Sequence, residues 1–392
     1  MVSLPIRLPE PPPPLLVTEA AHLAELCARW SGVGAIGLDT EFVRTRTFFP
    51  RLGLIQIADP VGCYLVDTVA LTPPDADAAE VWRPLVEVLV SRSVIKVLHS
   101  PSEDLEVFLH VFGSFPGPLY DTQIAATLAG LGSSPGYPRL MKTLFDVDLP
   151  KVEQRSDWLR RPLSKAQVRY ASLDVAYLLP AHEQLAGRLA ATGRSEWAEE
   201  EFTALPELCR TRLDPEQVFA RLHRRSMNEA QTAALHVLNA WREAEARRRD
   251  LPRGFVVQDA VLVELARRLP RQTSDLRAIP GIGPSVRRQY GDALIELVAG
   301  ARHRDAAVSY RDAEVGGDRS GAKPSRATVD RLRVVVADAA EDLGLPAEFL
   351  ASRKLLEALV LEHRRNRELP AGLEGWRRQA VGERLLAELS DR

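Results

Sequence analysis

Asp39 and Glu41 stand two residues apart in the run Gly37-Leu38-Asp39-Thr40-Glu41-Phe42. An apolar Ala35-Ile36 pair leads into them, and Leu54-Ile55-Gln56-Ile57-Ala58 follows with the pattern of a second strand. Residues two apart on a strand project to the same side. The spacing therefore sets two carboxylates side by side within an apolar strand. Unpaired buried charge is costly, and packing alone gives no reason to keep such a pair. A divalent metal would offset that cost. A strand end running into solvent would carry the same pair with no metal at all.

More candidate groups lie further along the chain. Glu103 and Asp104 fall in the first turn of an expected helix that Ser102 would cap, and acidic residues also belong there for dipole reasons alone. Asp121 stands where an N-cap is expected and needs no further role. Tyr170 and Asp174 are four apart on an expected helix, hence on one face, beside apolar Ala166, Leu173 and Leu178. Packing seldom puts a phenol and a carboxylate together on such a face.

These groups need elements to position them. Ile36 to Glu41, Leu54 to Ala58 and Cys63 to Asp67 read as three successive strands, the last two joined by an Asp59-Pro60-Val61-Gly62 turn. Val81 to Ser91 predicts a helix, and Val94 to His99 a fully buried strand. Leu105, Phe108, Leu109 and Phe112 have the i, i+3, i+4, i+7 spacing of an amphipathic helix, which Gly113 would close. Helices are expected near Thr122 to Leu131 and Arg139 to Phe145. Another opens with a Ser164-Lys165-Ala166-Gln167 capping box and should run to about Arg188. Three strands followed by alternation with helices predict an α/β fold, a mixed sheet flanked by helices.

In this order the motifs resemble those of the ribonuclease D family. Asp39-Thr40-Glu41-Phe42-Val43-Arg44-Thr45-Arg46-Thr47 with Leu52-Gly53-Leu54-Ile55-Gln56 is similar to its first exonuclease motif. Ser102-Glu103-Asp104-Leu105-Glu106-Val107-Phe108 resembles the second, and Tyr170-Ala171-Ser172-Leu173-Asp174 the third. The segment from Arg155 to Leu163 also resembles that family. Such motifs mark the DEDD 3′→5′ exonucleases that have tyrosine in the third motif.

The resemblance implies an RNase H-like sheet carrying two divalent ions, Mg²⁺ or Mn²⁺. By the same resemblance Asp39 would bridge both ions, Glu41 and Asp174 would complete one site, and Asp104 would hold the other. Tyr170 would orient the attacking water. Phe42 could stack on a terminal base or ribose, while Gln56 and His99 are candidate contacts to the 3′-terminal nucleotide. A satisfied histidine at a strand end explains His99 equally well.

At 392 residues the chain suggests two or three compact units. Its 45% hydrophobic and 27% charged residues are those of an ordinary globular protein. Cys27, Cys63 and Cys209 are widely separated, which argues against a disulfide framework or zinc site and fits a reducing cytoplasm. No apolar run reaches the roughly 18 residues of a membrane span, and Met1 to Glu10 lacks the order of a signal peptide. Pro11 to Pro14 reads as a stiff tail. Residues 1–205 carry 18 Lys and Arg against 25 Asp and Glu, a balance of −7. Residues 206–392 carry 33 against 28, a balance of +5, which suits a surface holding a polyanion.

That second half reads as helical. A helix over Met227 to Arg249, a break at Leu251-Pro252-Arg253-Gly254, a helix over Asp259 to Arg268 and the turn Ile279-Pro280-Gly281-Ile282-Gly283 resemble an HRDC domain. Such modules bind nucleic acid, and Arg247-Arg248-Arg249 with Arg287 and Arg288 are the candidate phosphate contacts. Stabilisation of a helix C-terminus would also explain the first three. Gly382 before Leu385-Leu386 parallels Gly291 before Leu294-Ile295, which suggests a diverged second copy. Residues 301–392 sum to only +1, so that copy could pack rather than bind.

The expected organisation is a proline-rich tail (1–15), an exonuclease domain (16–205), a first HRDC domain (206–299), a linker (300–325) and a second HRDC-like domain (326–392). The expected activity is metal-dependent 3′→5′ exoribonuclease action by a cytoplasmic monomer. It would release nucleoside 5′-monophosphates from structured RNA 3′ tails, particularly of tRNA precursors. A DNA exonuclease and an inactive nucleic-acid-binding protein on the same fold are the rivals. No polymerase region follows to favour the first, and carboxylates at all four positions count against the second.

Overall fold

The structure, a computed structural model, describes residues 8–150, 153, 155–222, 227–303 and 324–390. Most of the expected linker (304–323) and the first seven residues of the expected tail lie outside the described residues.

Six strands form one sheet: β1 (Leu15–Val17), β2 (Ala35–Val43), β3 (Arg51–Ala58), β4 (Cys63–Asp67), β5 (Ile95–Leu98) and β6 (Leu119–Asp121). Their spatial order is β1-β4-β3-β2-β5-β6. β3 and β4 are antiparallel, with Leu54 opposite Asp67 and Ala58 opposite Cys63. β1 runs parallel to β4, and β5 parallel to both β2 and β6. The sheet is therefore mixed. In the β3–β4 turn, Asp59 Oδ1 accepts the backbone N–H of Val61 at 2.7 Å and of Gly62 at 3.0 Å. β1 and β6 were not expected, because three residues are too few to show an alternation.

Eight helices accompany the strands: α1 (Ala20–Trp30), α2 (Thr68–Leu71), α3 (Ala78–Val90), α4 (Ser102–Phe112), α5 (Thr122–Leu128), α6 (Tyr137–Phe145), α7 (Lys165–Ala176) and α8 (Leu178–Ala191). Two expectations need correction. Pro101, not Ser102, is the N-cap of α4, so Ser102 is already helical. The helix opened by the Ser164–Gln167 capping box ends at Ala176, and α8 begins after Tyr177. Pro180 is the reason. It has no N–H for the Ala176 carbonyl, so it is tolerated only in the first turn of a new helix.

The chain divides into two compact units: Met1–Phe42 with Leu52–Pro206 and Arg319–Arg392, and Val43–Arg51 with Glu207–Asp318. In the first, one core runs from Val97, Leu144, Leu178 and Leu185 to Leu332, Leu356 and Leu385. The helices Arg326–Leu343, Arg353–Asn366 and Glu383–Ser390 thus pack on the sheet-bearing part. α9 (Ser195–Leu213) holds them with polar contacts as well. Glu200 accepts the Trp376 backbone N–H at 3.0 Å, Glu201 accepts Trp376 Nε1–H at 2.7 Å, and the Trp197 and Trp376 rings stack 4.9 Å apart.

The second unit contains α10 (Pro215–Leu222), α11 (Glu229–Arg249), α12 (Arg253–Val256), α13 (Asp259–Arg268) and α14 (Pro284–His303) around Leu235, Leu238, Leu262, Leu276 and Leu294. Residues 43–51, between β2 and β3, belong to it. Phe48 enters its core, and the Arg247 and Arg253 guanidinium groups each lie 4.8 Å from the Phe48 ring centre. Asp250, in the left-handed position that ends α11, accepts the backbone N–H groups of Phe48 and Phe49 at 3.0 Å. Among the described residues no helix is long and apolar enough to cross a membrane.

Candidate active site

β2 runs through the middle of the sheet with Ile36 and Leu38 fully buried. Gly37, Asp39 and Glu41 share its other face. A Cβ on Gly37 would come 3.1 Å from Leu178 Cβ and 3.3 Å from Ala58 Cβ. Glycine thus lets the start of α8 close onto the sheet, and the end of α7 follows. The close approach brings Asp174 over the strand. Asp39, Glu41 and Asp174 each offer a carboxylate oxygen, and these oxygens lie within 4.8 Å of one another.

Asp104 arrives from α4 and stands outside that group of three. Its Oδ1 accepts a 2.5 Å hydrogen bond from Thr40 Oγ1. Tyr170 lies one turn before Asp174 on α7, buried, and its hydroxyl hydrogen-bonds the Asp174 carboxylate. The structure thus brings the four carboxylates and the phenol into one neighbourhood.

The site is electrostatically loaded. Burial, then the charges of Asp104, Asp174 and Glu41, raise the Asp39 carboxyl well above its usual range. Burial and the charges of Asp174 and Asp104 push Glu41 up to about 9. Asp174 is pushed up to about 7 by burial, with the Tyr170 hydrogen bond opposing. Asp104 is pushed up to about 6 by burial, with the Thr40 hydroxyl opposing. Asp174 Oδ2 is buried with no hydrogen-bond partner among the described residues. Converging hard oxygen donors with an unused lone pair fit divalent cations. Asp121, by contrast, caps α5: it accepts the Gln123 N–H at 2.8 Å and the Ser100 N–H at 2.9 Å.

The segment from Arg155 to Leu163 supports Tyr170 from behind. Arg161 donates to both Asp67 oxygens at 2.6 and 2.7 Å, to the Gly53 carbonyl at 2.7 Å and to the Trp158 carbonyl at 2.8 Å. The Trp158 ring lies 6.1 Å from that of Tyr170. A Cβ on Gly53 would fall 2.4 Å from the Trp158 carbonyl oxygen, a backbone atom held at both ends. Gly53→Ala is therefore expected to displace the segment, costing about 1–3 kcal/mol and lowering turnover at least about tenfold. Thermal melts and an RNA digestion assay check this, and wild-type values in both would show that Tyr170 needs no such backing.

The remaining expected site residues are placed as follows. Phe42, half-buried, follows Glu41 on β2 and points to the opposite face. His99 directly follows β5, shares a 2.9 Å hydrogen bond with Thr122 and packs 5.4 Å from the Tyr137 ring. Burial pushes His99 down to about 4, so it is neutral at pH 7. Gln56 is fully buried in β3. Arg287 donates to the Ile282 carbonyl at 2.9 Å, while Arg288 is exposed. Arg247, Arg248 and Arg249 pair with Glu243 and Glu245 inside the second unit, which favours the helix-end reading of that run.

Sequence reasoning missed Thr40 and Tyr137. Thr40 could have been found, since a strand sends the residue between two carboxylates to the other face. Tyr137, whose hydroxyl donates to the Leu173 carbonyl at 3.2 Å and feels the charges of Asp174 and Asp39, left no local signal.

Comparison with known proteins points the same way. Residues 14–190 match the family model described as 3′-5′ exonuclease, residues 231–298 match HRDC domain, and residues 325–385 match Ribonuclease D, C-terminal HRDC domain. The ribonuclease D of Pseudomonas paraeruginosa is 39% identical over 95% of this chain and 96% of its own length. That of Granulibacter bethesdensis is 37% identical over 96% of this chain and 92% of its own. The crystal structure of Escherichia coli RNase D superposes with a TM-score of 0.85 at 34% identity, covering 96% of this chain and 99% of that one. Its authors describe it as an exoribonuclease involved in structured RNA processing. A mixed sheet with clustered carboxylates, followed by HRDC helices, defines a 3′→5′ exonuclease. The chain belongs to the ribonuclease D family of 3′→5′ exoribonucleases.

Proposed function

We propose that the chain shortens structured RNAs from their 3′ ends, tRNA precursors among them, releasing nucleoside 5′-monophosphates with two divalent ions, Mg²⁺ or Mn²⁺. The observation that carries this reading is the convergence of Asp39, Glu41 and Asp174 below Tyr170. Bound divalent cations supply Lewis acidity, lowering the pKa of a water and offsetting charge on the phosphodiester. Asp39, Glu41 and Asp174 offer one group of ligand oxygens, and Asp104, held by Thr40, offers another. Tyr170 orients the attacking water, its hydroxyl direction fixed by Asp174. Phe42 stacks on the terminal nucleotide. The enzyme works as a monomer in the cytoplasm. Digestion of a 3′-extended tRNA beside a matched single-stranded DNA, with Mn²⁺ or chelator, tests the reading. Equal digestion of both strands, or digestion in chelator, would sink it.

The first HRDC domain is read as the RNA holder and the C-terminal one as packing. Arg288, exposed after the glycine turn, is the cation to test. Arg288→Gln is expected to flatten the slope of log affinity against log salt by roughly one unit on a tRNA-length substrate. Cleavage of a dinucleotide should hardly change. An unaltered salt slope would remove Arg288 from the RNA surface.

A further inference from the structure

Phe255 is an aromatic ring that the second unit displays rather than buries. It is 63% exposed on α12, makes no ring contact among the described residues and lies outside the core of its unit. Val256 and Val257 beside it are buried. The other large hydrophobic side chains exposed among the described residues are all aliphatic. Single exposed aliphatics are ordinary on protein surfaces. Two further observations set Phe255 apart from them.

The first is its mount. The Phe255 N–H donates to the Pro252 carbonyl at 2.8 Å. On one side Arg253 donates twice to buried Glu243, at 2.5 and 2.8 Å. On the other, fully buried Arg242 donates to the Val257 carbonyl at 3.1 Å and to Asp259 at 2.6 Å. Paired charges that are themselves buried thus fix a four-residue surface helix in place. The second observation is the charge around it. Glu243, Asp250 and Asp259 are each taken up by contacts within the unit. Residues 43–51, whose Phe48 ring lies against Arg253, carry Arg44, Arg46 and Arg51 and no acidic residue. Arg46 and Arg51 are exposed and have no ion-pair partner among the described residues.

We propose that Phe255 is a base-stacking platform for single-stranded RNA, with Arg46 and Arg51 as phosphate contacts beside it. Single-strand binders combine a cationic track with aromatic faces on which bases stack. A ring on a rigid mount loses little freedom when it binds. The unpaired cations select a polyanion over an apolar protein surface. The inference rests on the reading of the first HRDC domain as the RNA holder, and it adds a contact that salt does not screen.

Phe255→Leu and Phe255→Trp separate stacking from plain hydrophobic contact, because leucine keeps apolar area but has no π-face. Affinity of the full chain for a labelled oligoadenylate is measured in chelator at several salt concentrations, beside Arg46→Gln and Arg288→Gln. Phe255→Leu is expected to bind about fivefold more weakly or worse, with the wild-type melting temperature. Its salt slope should not change, since no phosphate contact is lost. Phe255→Trp should bind at least as tightly as the wild type, and Arg46→Gln should flatten the slope by roughly one unit. Wild-type affinity in Phe255→Leu would overturn the proposal, as would an equal loss in Phe255→Trp. A lowered melting temperature in Phe255→Leu would make the ring a packing residue, and a changed oligomeric state would make it a contact between copies; either result overturns the platform. An unaltered slope in Arg46→Gln would overturn the phosphate track. If Arg288→Gln flattens the slope while Phe255→Leu binds normally, this proposal fails alone. If every variant binds as the wild type does, the reading of the first HRDC domain fails with it.

Discussion

Asp39→Asn is expected to abolish cleavage and, in chelator, to melt higher than the wild type. Both effects come from one feature, the crowding of buried carboxylates around β2. Without cations the cluster is a liability, because ionising it sets like charges together with little water. The amide keeps the shape of the side chain and removes a group that must either ionise in that crowd or hold a proton the unfolded chain would release. Each kcal/mol recovered raises the melting temperature by about 2–4 °C in domains of 150–250 residues. The same change removes an anionic ligand, so turnover should drop by about 10³-fold or more, and Mn²⁺ should no longer raise the melting temperature. Near-normal turnover would end the metal reading, and a variant that melts well below the wild type in chelator would show the cluster to be structurally favourable.

The pH dependence of the metal-free protein has a definite sign. In the unfolded chain these carboxylates ionise near pH 4. In the folded protein Asp104 is pushed up to about 6, Asp174 to about 7 and Glu41 to about 9, and Asp39 is raised as well, burial being the main cause. Between pH 4 and 9 the native state thus holds protons that the unfolded chain has released, so its stability falls as pH rises. Cations bind the ionised form, and their affinity rises over the same window. Melting curves in chelator should therefore slope down from pH 5 to 9, less steeply in Asp39→Asn and less steeply with Mn²⁺.

Tyr170→Phe is the second large effect. Tyr170 is buried on α7 against Trp158, and phenylalanine keeps that ring packing, so the melting temperature should barely move. Loss of the hydroxyl removes the group that orients the water and frees the Asp174 carboxylate from its hydrogen bond. Turnover should fall by about 10²-fold or more while RNA affinity changes little. Full activity combined with a marked loss of stability would make the tyrosine a core residue only.

Much of this was legible in the chain itself. A period of two placed Asp39 and Glu41 on one face, and a spacing of four did the same for Tyr170 and Asp174. Both relations are local, which is why they survive without a structure. Long-range relations left weaker traces or none. Nothing near Gly53 announces the Trp158 carbonyl that lies against it, and nothing near Tyr137 announces Leu173. Pro180 did carry the signal for the break between α7 and α8, but the capping box upstream and the apolar pattern beyond concealed it. The Arg247–Arg249 run shows how a sequence hides partners: glutamates three and four residues back pair with it on its own helix.

The placement of residues 43–51 bears on how the molecule can be divided. Phe48 and Phe49 leave the catalytic strand only to be gripped by Asp250, about 200 positions later in the chain, and residues 319–392 return to complete the first core. No single cut frees either unit intact. A fragment stopping at Pro206 would bear Phe48 without its apolar surroundings and would lack the helices from residue 319 onward that complete the core of the sheet-bearing unit. The nuclease is thus not an interchangeable cassette followed by optional appendages.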